Sequence, residues 1–151
     1  MAFNLSAWVG RDRKRNFMAL NFTRRLGVIT SRIERIKREG SPAYIWNVPV
    51  TAPAAVAAIG IRETYPQSRK YEPLDWIEIV NNEATNNLAI AINGNAVTFL
   101  IPARTIRVIE RQPLWNISIT NNGAGATTLG NIVITMQRQP LTTDRLMRGD
   151  L

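Results

Sequence analysis

The stretch DWIEIVNNEATNNLAIAINGNAVTFLIPARTIRVIE, residues 75–110, decides the fold. Apolar and polar residues alternate in Trp76-Ile77-Glu78-Ile79 and in Ile106-Arg107-Val108-Ile109, the period of a half-buried strand. Asn93-Gly94 stands between two apolar runs, and both central residues of a two-residue hairpin turn need positive φ, which Asn and Gly tolerate best. Working outward, the same texture gives runs at 74–80, 88–92, 96–101, 105–110, 114–120 and 131–137. Each is rich in Ile, Val, Thr or aromatics and is bounded by Asn, Gly or Pro. Six short strands at this spacing predict a mainly β domain over residues 74–140, an antiparallel β-sandwich or jelly-roll-like barrel. The expected core is Trp76, Ile77, Ile79, Ile90, Phe99, Val108, Trp115, Ile117 and Ile134. NNGAGATTLG, residues 121–130, reads as a long loop of small residues before the last strand, and residues 141–151 as a polar tail.

Upstream, residues 41–73 read as an extended connector punctuated by Pro42, Pro49, Pro53, Pro66 and Pro73. Residues 44–48 within it suit an edge strand, because prolines flank them. The most apolar stretch, VPVTAPAAVAAIGI (48–61), is too short and too broken by proline to span a bilayer. It is expected as an extended segment against a neighbouring surface or as a short buried helix over 54–58.

Residues 1–40 carry the charge. Ten Lys and Arg stand there against three acids, a net of +7 out of +8 for the whole chain. Arg11, Arg13, Lys14 and Arg15 form a cluster with no apolar period. Further on, Ala19, Phe22, Leu26, Ile29, Ile33 and Ile36 follow a 3-4 spacing, an apolar stripe along one helix face. Arg24, Arg25, Arg32, Arg35, Lys37 and Arg38 fall mainly off that stripe, Ser31 with Glu34 matches a capping box, and Gly40 supplies a stop. The segment is therefore expected as a basic, partly helical arm. Its basic residues are the candidate contacts for an anionic partner, nucleic acid or an anionic membrane surface, through residues 11–38. Phe22, Leu26, Ile29, Ile33 and Ile36 are the candidate interface stripe, which a neighbouring subunit or the chain's own body would equally cover.

The chain has no Cys and no His, which removes thiolate and imidazole nucleophiles, bases and metal ligands. Asp75, Glu78 and Glu83 lie along one strand and its turn with no opposing carboxylate cluster. No catalysis, cofactor, metal or small-molecule substrate is expected. Residues 123–130 lack the Lys-Ser/Thr and the following helix of a phosphate-binding loop. The start of the chain lacks the apolar run of a secretory signal. Phe17, Phe22, Tyr44 and Trp46 are expected to pack rather than to stack on bases, and Arg148-Gly149-Asp150 reads as a chance tripeptide.

DWIEIVNNEATNNLAIAINGNAVTFLIPARTIRVIERQPLWNISITNNG (75–123) and GNIVITMQRQP (130–140) together resemble the single β-sandwich modules of small bacteriophage virion proteins, whether capsid, vertex or tail accessory proteins. The Asn-rich turns, the short apolar hairpin and the Pro-Ala-Arg-Thr entry into an Ile/Val strand carry that likeness. It implies a non-enzymatic structural protein in the virion, a homo-oligomer in contact with other virion proteins, anchored by its basic arm. Two alternatives remain beside it. One is a nucleic-acid-binding module that uses the arm, and the other a host-attachment module that displays the 121–130 loop.

Overall fold

The computed structural model describes residues 34–140, which fold as two four-stranded antiparallel sheets with little helix. The strands are β1 (Tyr44–Asn47), β2 (Val56–Gly60), β3 (Leu74–Asn81), β4 (Leu88–Ile92), β5 (Thr98–Ile101), β6 (Thr105–Leu114), β7 (Asn116–Asn121) and β8 (Ile132–Gln137). Residues 34–39 belong to a helix, α1, and a short helix α2 (Ile61–Thr64) leads into a 3-10 turn over Pro66–Lys70. One sheet, sheet A, has the order β1-β8-β3-β6, and the other, sheet B, has β2-β7-β4-β5. The pairs β1–β8, β2–β7, β3–β6 and β4–β5 are nested, as in a long antiparallel ribbon folded over on itself.

Strand alternation builds the core. Ile77 and Ile79 of β3 and Ile134 and Met136 of β8 point inward from sheet A. Ile90 and Ile92 of β4 and Ile117 and Ile119 of β7 meet them from sheet B, all essentially fully buried. Each isoleucine so placed contributes about 1.5–3 kcal/mol relative to leaving it exposed. A bulge between Leu74 and Trp76 changes the parity of β3, so Leu74 and Ile77 are both buried although three residues apart. Asp75 at the bulge accepts the Gln139 N–H at 2.7 Å.

Three expected core residues belong elsewhere, and a fourth, Phe99, packs against the core while only partly buried. Trp76 and Val108 neighbour the inward Ile77 and Ile109, so the period of two turns them outward, Trp76 half-buried and Val108 44% exposed. Trp115 occupies the corner between β6 and β7 and is 44% exposed, while Leu114 takes the core position. Phe99 is only partly buried on the short β5, where Arg107 lies over its ring at 5.3 Å. The run expected at 105–110 continues to Leu114, through Pro113 and through Arg111 at φ 64°. An edge strand tolerates proline, and β6 is an edge.

The stretch 41–73 supplies a strand to each sheet. β1 is an edge strand beside β8, in the region read from sequence as an edge. β2 is the segment expected either as a loose extended piece or as a helix over 54–58, and it pairs with β7 from Val56 to Gly60. The hairpin at Asn93-Gly94 has φ 56° and 70°, with Asn95 N–H bonded to Ile92 C=O at 3.1 Å. The Asn93 side chain then fixes the β6–β7 corner, since its Oδ1 accepts the N–H groups of Trp115 (2.8 Å) and Asn116 (3.2 Å).

Two fully buried asparagines close one end of the sandwich. At the end of β3, Asn81 Nδ2 donates to the carbonyls of Asn86 (3.0 Å) and Pro102 (3.0 Å), and its Oδ1 accepts the Glu83 N–H. At the end of β7, Asn121 Nδ2 donates to the carbonyls of Thr51 (3.0 Å) and Gly125 (2.8 Å), and its Oδ1 accepts the Gly123 N–H. A Cβ on Gly123 would stand 2.0 Å from Asn86 Oδ1, so only glycine fits there. Replacing Asn121 by Ala leaves several buried groups unpaired and should cost about 3 kcal/mol or more. The exposed Asn116→Ala should stay within about 0.5 kcal/mol. Urea unfolding followed by circular dichroism checks both.

Candidate assembly surface

The chain enters and leaves the sandwich at the end opposite the buried asparagines. Gly40 stops α1 in the left-handed region (φ 73°), with its N–H on Ile36 C=O at 2.8 Å. Its Cα is packed so closely that a Cβ would lie 2.6 Å from Arg138 C=O. Ser41 N–H then bonds Arg138 C=O at 3.0 Å, and Arg138 N–H returns to Ser41 Oγ at 2.7 Å. Arg138 also donates from Nη1 to the carbonyls of Tyr71 and Glu72, both at 3.2 Å. Entry and exit are thus tied to each other and to the segment joining β2 to β3.

Of the residues singled out in the arm, Arg35, Lys37 and Arg38 lie on α1 and are exposed, and Ile36 is half-buried. Arg35 and Arg38 each approach Glu39 at 3.7 Å, exposed pairs worth well under about 1 kcal/mol. Arg11, Arg13, Lys14, Arg15, Arg24, Arg25, Arg32, Phe22, Leu26, Ile29 and Ile33 lie outside the described residues, as does the tail 141–151.

The three carboxylates of interest do not converge. Asp75 sits in the β3 bulge, Glu78 is on the outer face of sheet A, and Glu83 is buried in the loop cluster. There Glu83 accepts the Thr128 N–H and the Asn86 amide. Among the described residues no group of three or more Asp or Glu is placed to hold a metal ion. No described helix is long and apolar enough to cross a membrane. The loop 121–130 is pinned at Asn121 and Thr127 and exposes Leu129 at its tip. An open recess of about 220 Å³ is lined by Gly60, Arg62, Glu63, Trp115 and Asn116. Arg62 is held beside it by Glu72, whose hydrogen bond and charge raise the guanidinium above its ordinary pKa.

Sequence reasoning passed over the outer faces of the two sheets, and strand parity was the signal for them. Sheet A turns Ile45 (55% exposed), Ile106 (65%) and Val108 (44%) outward. Register sets Val80 between Ile106 and Val133, and Glu78 between Val108 and Thr135. Trp76 faces Glu110 in the next row. Sheet B instead turns out Ala58, Ala89, Ala91, Thr98, Ser118 and Thr120, with Val56 and Leu100 at its margins and no charged residue. Both sheets thus expose apolar groups on their edge strands. On sheet A Val80, Ile106 and Val108 adjoin in register, with Ile45 across the sheet on β1, and adjoining exposed apolar groups mark a contact surface. Comparison with family models, with curated proteins and with solved structures finds no match to this chain.

The β1 edge is covered by Tyr65, whose hydroxyl donates to Ile45 C=O, while the ring of Tyr65 packs on Tyr44 at 5.4 Å. Burial raises the pKa of both tyrosines, and the neighbouring Tyr71 adds to the effect at Tyr44. The unfolded chain therefore loses these protons first, at the ordinary value of 10.0, so stability is complete below that pH and falls as pH rises above it. Tyr44 Oη has no hydrogen-bond partner among the described residues. Tyr44→Phe should leave stability unchanged or raise it and flatten the alkaline loss, whereas Tyr65→Phe should cost about 1 kcal/mol through the lost bond to Ile45. Melting temperatures measured from neutral pH to above 10 check the pair.

Proposed function

We propose that this chain is a non-enzymatic structural protein of a bacteriophage particle, a capsid, vertex or tail accessory component. In this reading it self-assembles through its sandwich and is anchored by its basic N-terminal arm. The observation that carries the reading is the nested strand order of the two sheets, which is the order of a jelly roll. That architecture serves virus capsids as well as lectins and cupins. Cupin-type metal chemistry needs ligands that a chain without His or Cys does not supply. A face of exposed apolar residues and an arm holding nearly all of the net charge suit a lattice component that contacts both its neighbours and an anionic layer. The arm's partner is then packaged nucleic acid, an anionic membrane or an adjoining subunit.

The reading is tested on the full-length chain by sedimentation and electron microscopy, alone and with particle fractions of its source. Assembly into regular oligomers, or co-purification with particles, is expected. A chain that stays monomeric at every concentration and never accompanies particles would overturn it. Nucleic acid as the arm's partner adds a quantitative expectation. Log affinity should fall linearly with log salt, with a slope of about 0.9 per phosphate neutralised on duplex DNA. Changing Arg13, Lys14 and Arg15 to Gln should then lower that slope by about 3.

A further inference from the structure

We infer that the outer face of sheet A is the docking site for the apolar stripe of the N-terminal arm, residues 19–36, of a second copy of this chain. The inference rests on the reading of the protein as self-assembling and names the surfaces that meet.

Three observations lead to it. The first is the face itself. Ile45, Ile106 and Val108 are exposed on it, and Val80 lies among them by register. Covering these half-exposed aliphatic side chains removes apolar area from water and favours association.

The second is charge. The outward positions of sheet A that register assigns include Glu78 and Glu110. Of the two arginines on β6, Arg107 is drawn to Leu100 C=O and the Phe99 ring and Arg111 stands at the irregular end of the strand, whereas sheet B has no charge of either sign. The arm is the complement, with an apolar stripe of Ala19, Phe22, Leu26, Ile29, Ile33 and Ile36 backed by Arg24, Arg25, Arg32 and Arg35. A basic helix gains nothing from the neutral face, but on sheet A its stripe meets apolar side chains while its margins meet carboxylates. Length agrees as well. Eighteen residues as a helix span about 27 Å, and the ten-residue strand β6 spans about 33 Å.

The third is where the arm joins the body. Gly40 turns the chain sharply between α1 and β1, and the turn of α1 before it is exposed, with only Ile36 half-buried. Ile36 is the one stripe residue among those described, and an apolar stripe needs a partner surface. The same face on a neighbouring copy supplies it, so each subunit gives an arm and receives one.

The absence of cysteine allows a direct test on the full chain. Single-cysteine chains carrying Ile29→Cys are mixed with chains carrying Val108→Cys on sheet A or, as a control, Ala58→Cys on sheet B, and the mixtures are oxidised. Val108 and Ala58 are both exposed, so neither change touches the core. Docking predicts a mixed disulfide with Val108→Cys in about tenfold excess over that with Ala58→Cys, through the raised local concentration. The excess should collapse when Glu78→Lys and Glu110→Lys are added to the receiving chain, and return when Arg32→Glu and Arg35→Glu are added to the arm. Equal yields at the two faces overturn the inference, and so does a chain with both Ile29→Cys and Val108→Cys that closes only on itself. If regular particles form while the yields are equal, only this inference falls. If the chain neither associates nor cross-links, the structural reading falls with it.

Discussion

The sandwich depends on two amide side chains in places where backbone would otherwise be left unpaired. Asn81 and Asn121 end the inner strands β3 and β7, one in each sheet, and neither has any exposed surface. Each makes the same turn, with its Oδ1 accepting the N–H two residues on. Each then spends its Nδ2 on carbonyls from other loops. Asn81 reaches Asn86 and Pro102, and Asn121 reaches Thr51 and Gly125. Four connections are held together by two residues. A buried carbonyl left without a donor costs about 1–3 kcal/mol, so an apolar residue at either position would unfasten several loops at once. Glu83, Asn86 and the Thr51–Thr127 pair extend the same network, and these polar groups are buried with hydrogen-bond partners.

That network explains much of what was legible in the sequence. Asn-Asn pairs after apolar runs mark strand ends, and β4 matches its expected run of 88–92, while β3 and β8 differ from theirs by one terminal residue. The Asn93-Gly94 hairpin has the positive φ values that its residue types announce. β2 was not legible because Val-Ala-Ala-Ile-Gly has neither alternation nor strand-forming bulk beyond Val56 and Ile59, and alanine favours helix in isolation. Its strand state comes from pairing with β7, a contact across more than fifty residues of chain. The tryptophans misled in another way. Size alone placed Trp76 and Trp115 in the core, but Trp76 shares a strand with Ile77 and parity admits only one of two neighbours. The outer-face residues Ile45, Ile106 and Val108 were equally implied by parity, once the inward set is known. Of the arm residues named from the sequence as partner contacts, only Arg35, Ile36, Lys37 and Arg38 lie in the described part of the chain.

Two open sheets have four edges that invite uncontrolled pairing, and this chain blunts them individually. At β1 the Tyr65 hydroxyl occupies Ile45 C=O, and at β5 an edge of four residues has Leu100 C=O taken by Arg107. β6 is the longest strand, but Pro113 removes a donor from its edge and Arg111, at φ 64°, breaks its regularity. β2 is five residues long, entered after the positive φ of Ala54 and ended by α2. Little uninterrupted ladder remains for strand addition, so association has to use side chains. The two outer faces then differ in a way that matters. The face of sheet B is neutral and small-residued except for Val56 and Leu100 on its edge strands, whereas that of sheet A combines Val80, Ile106 and Val108 with carboxylates. In the docking proposed above, the apolar stripe of the arm meets sheet A, and the arm's positive charge serves to select that face in addition to any pull toward an anionic layer.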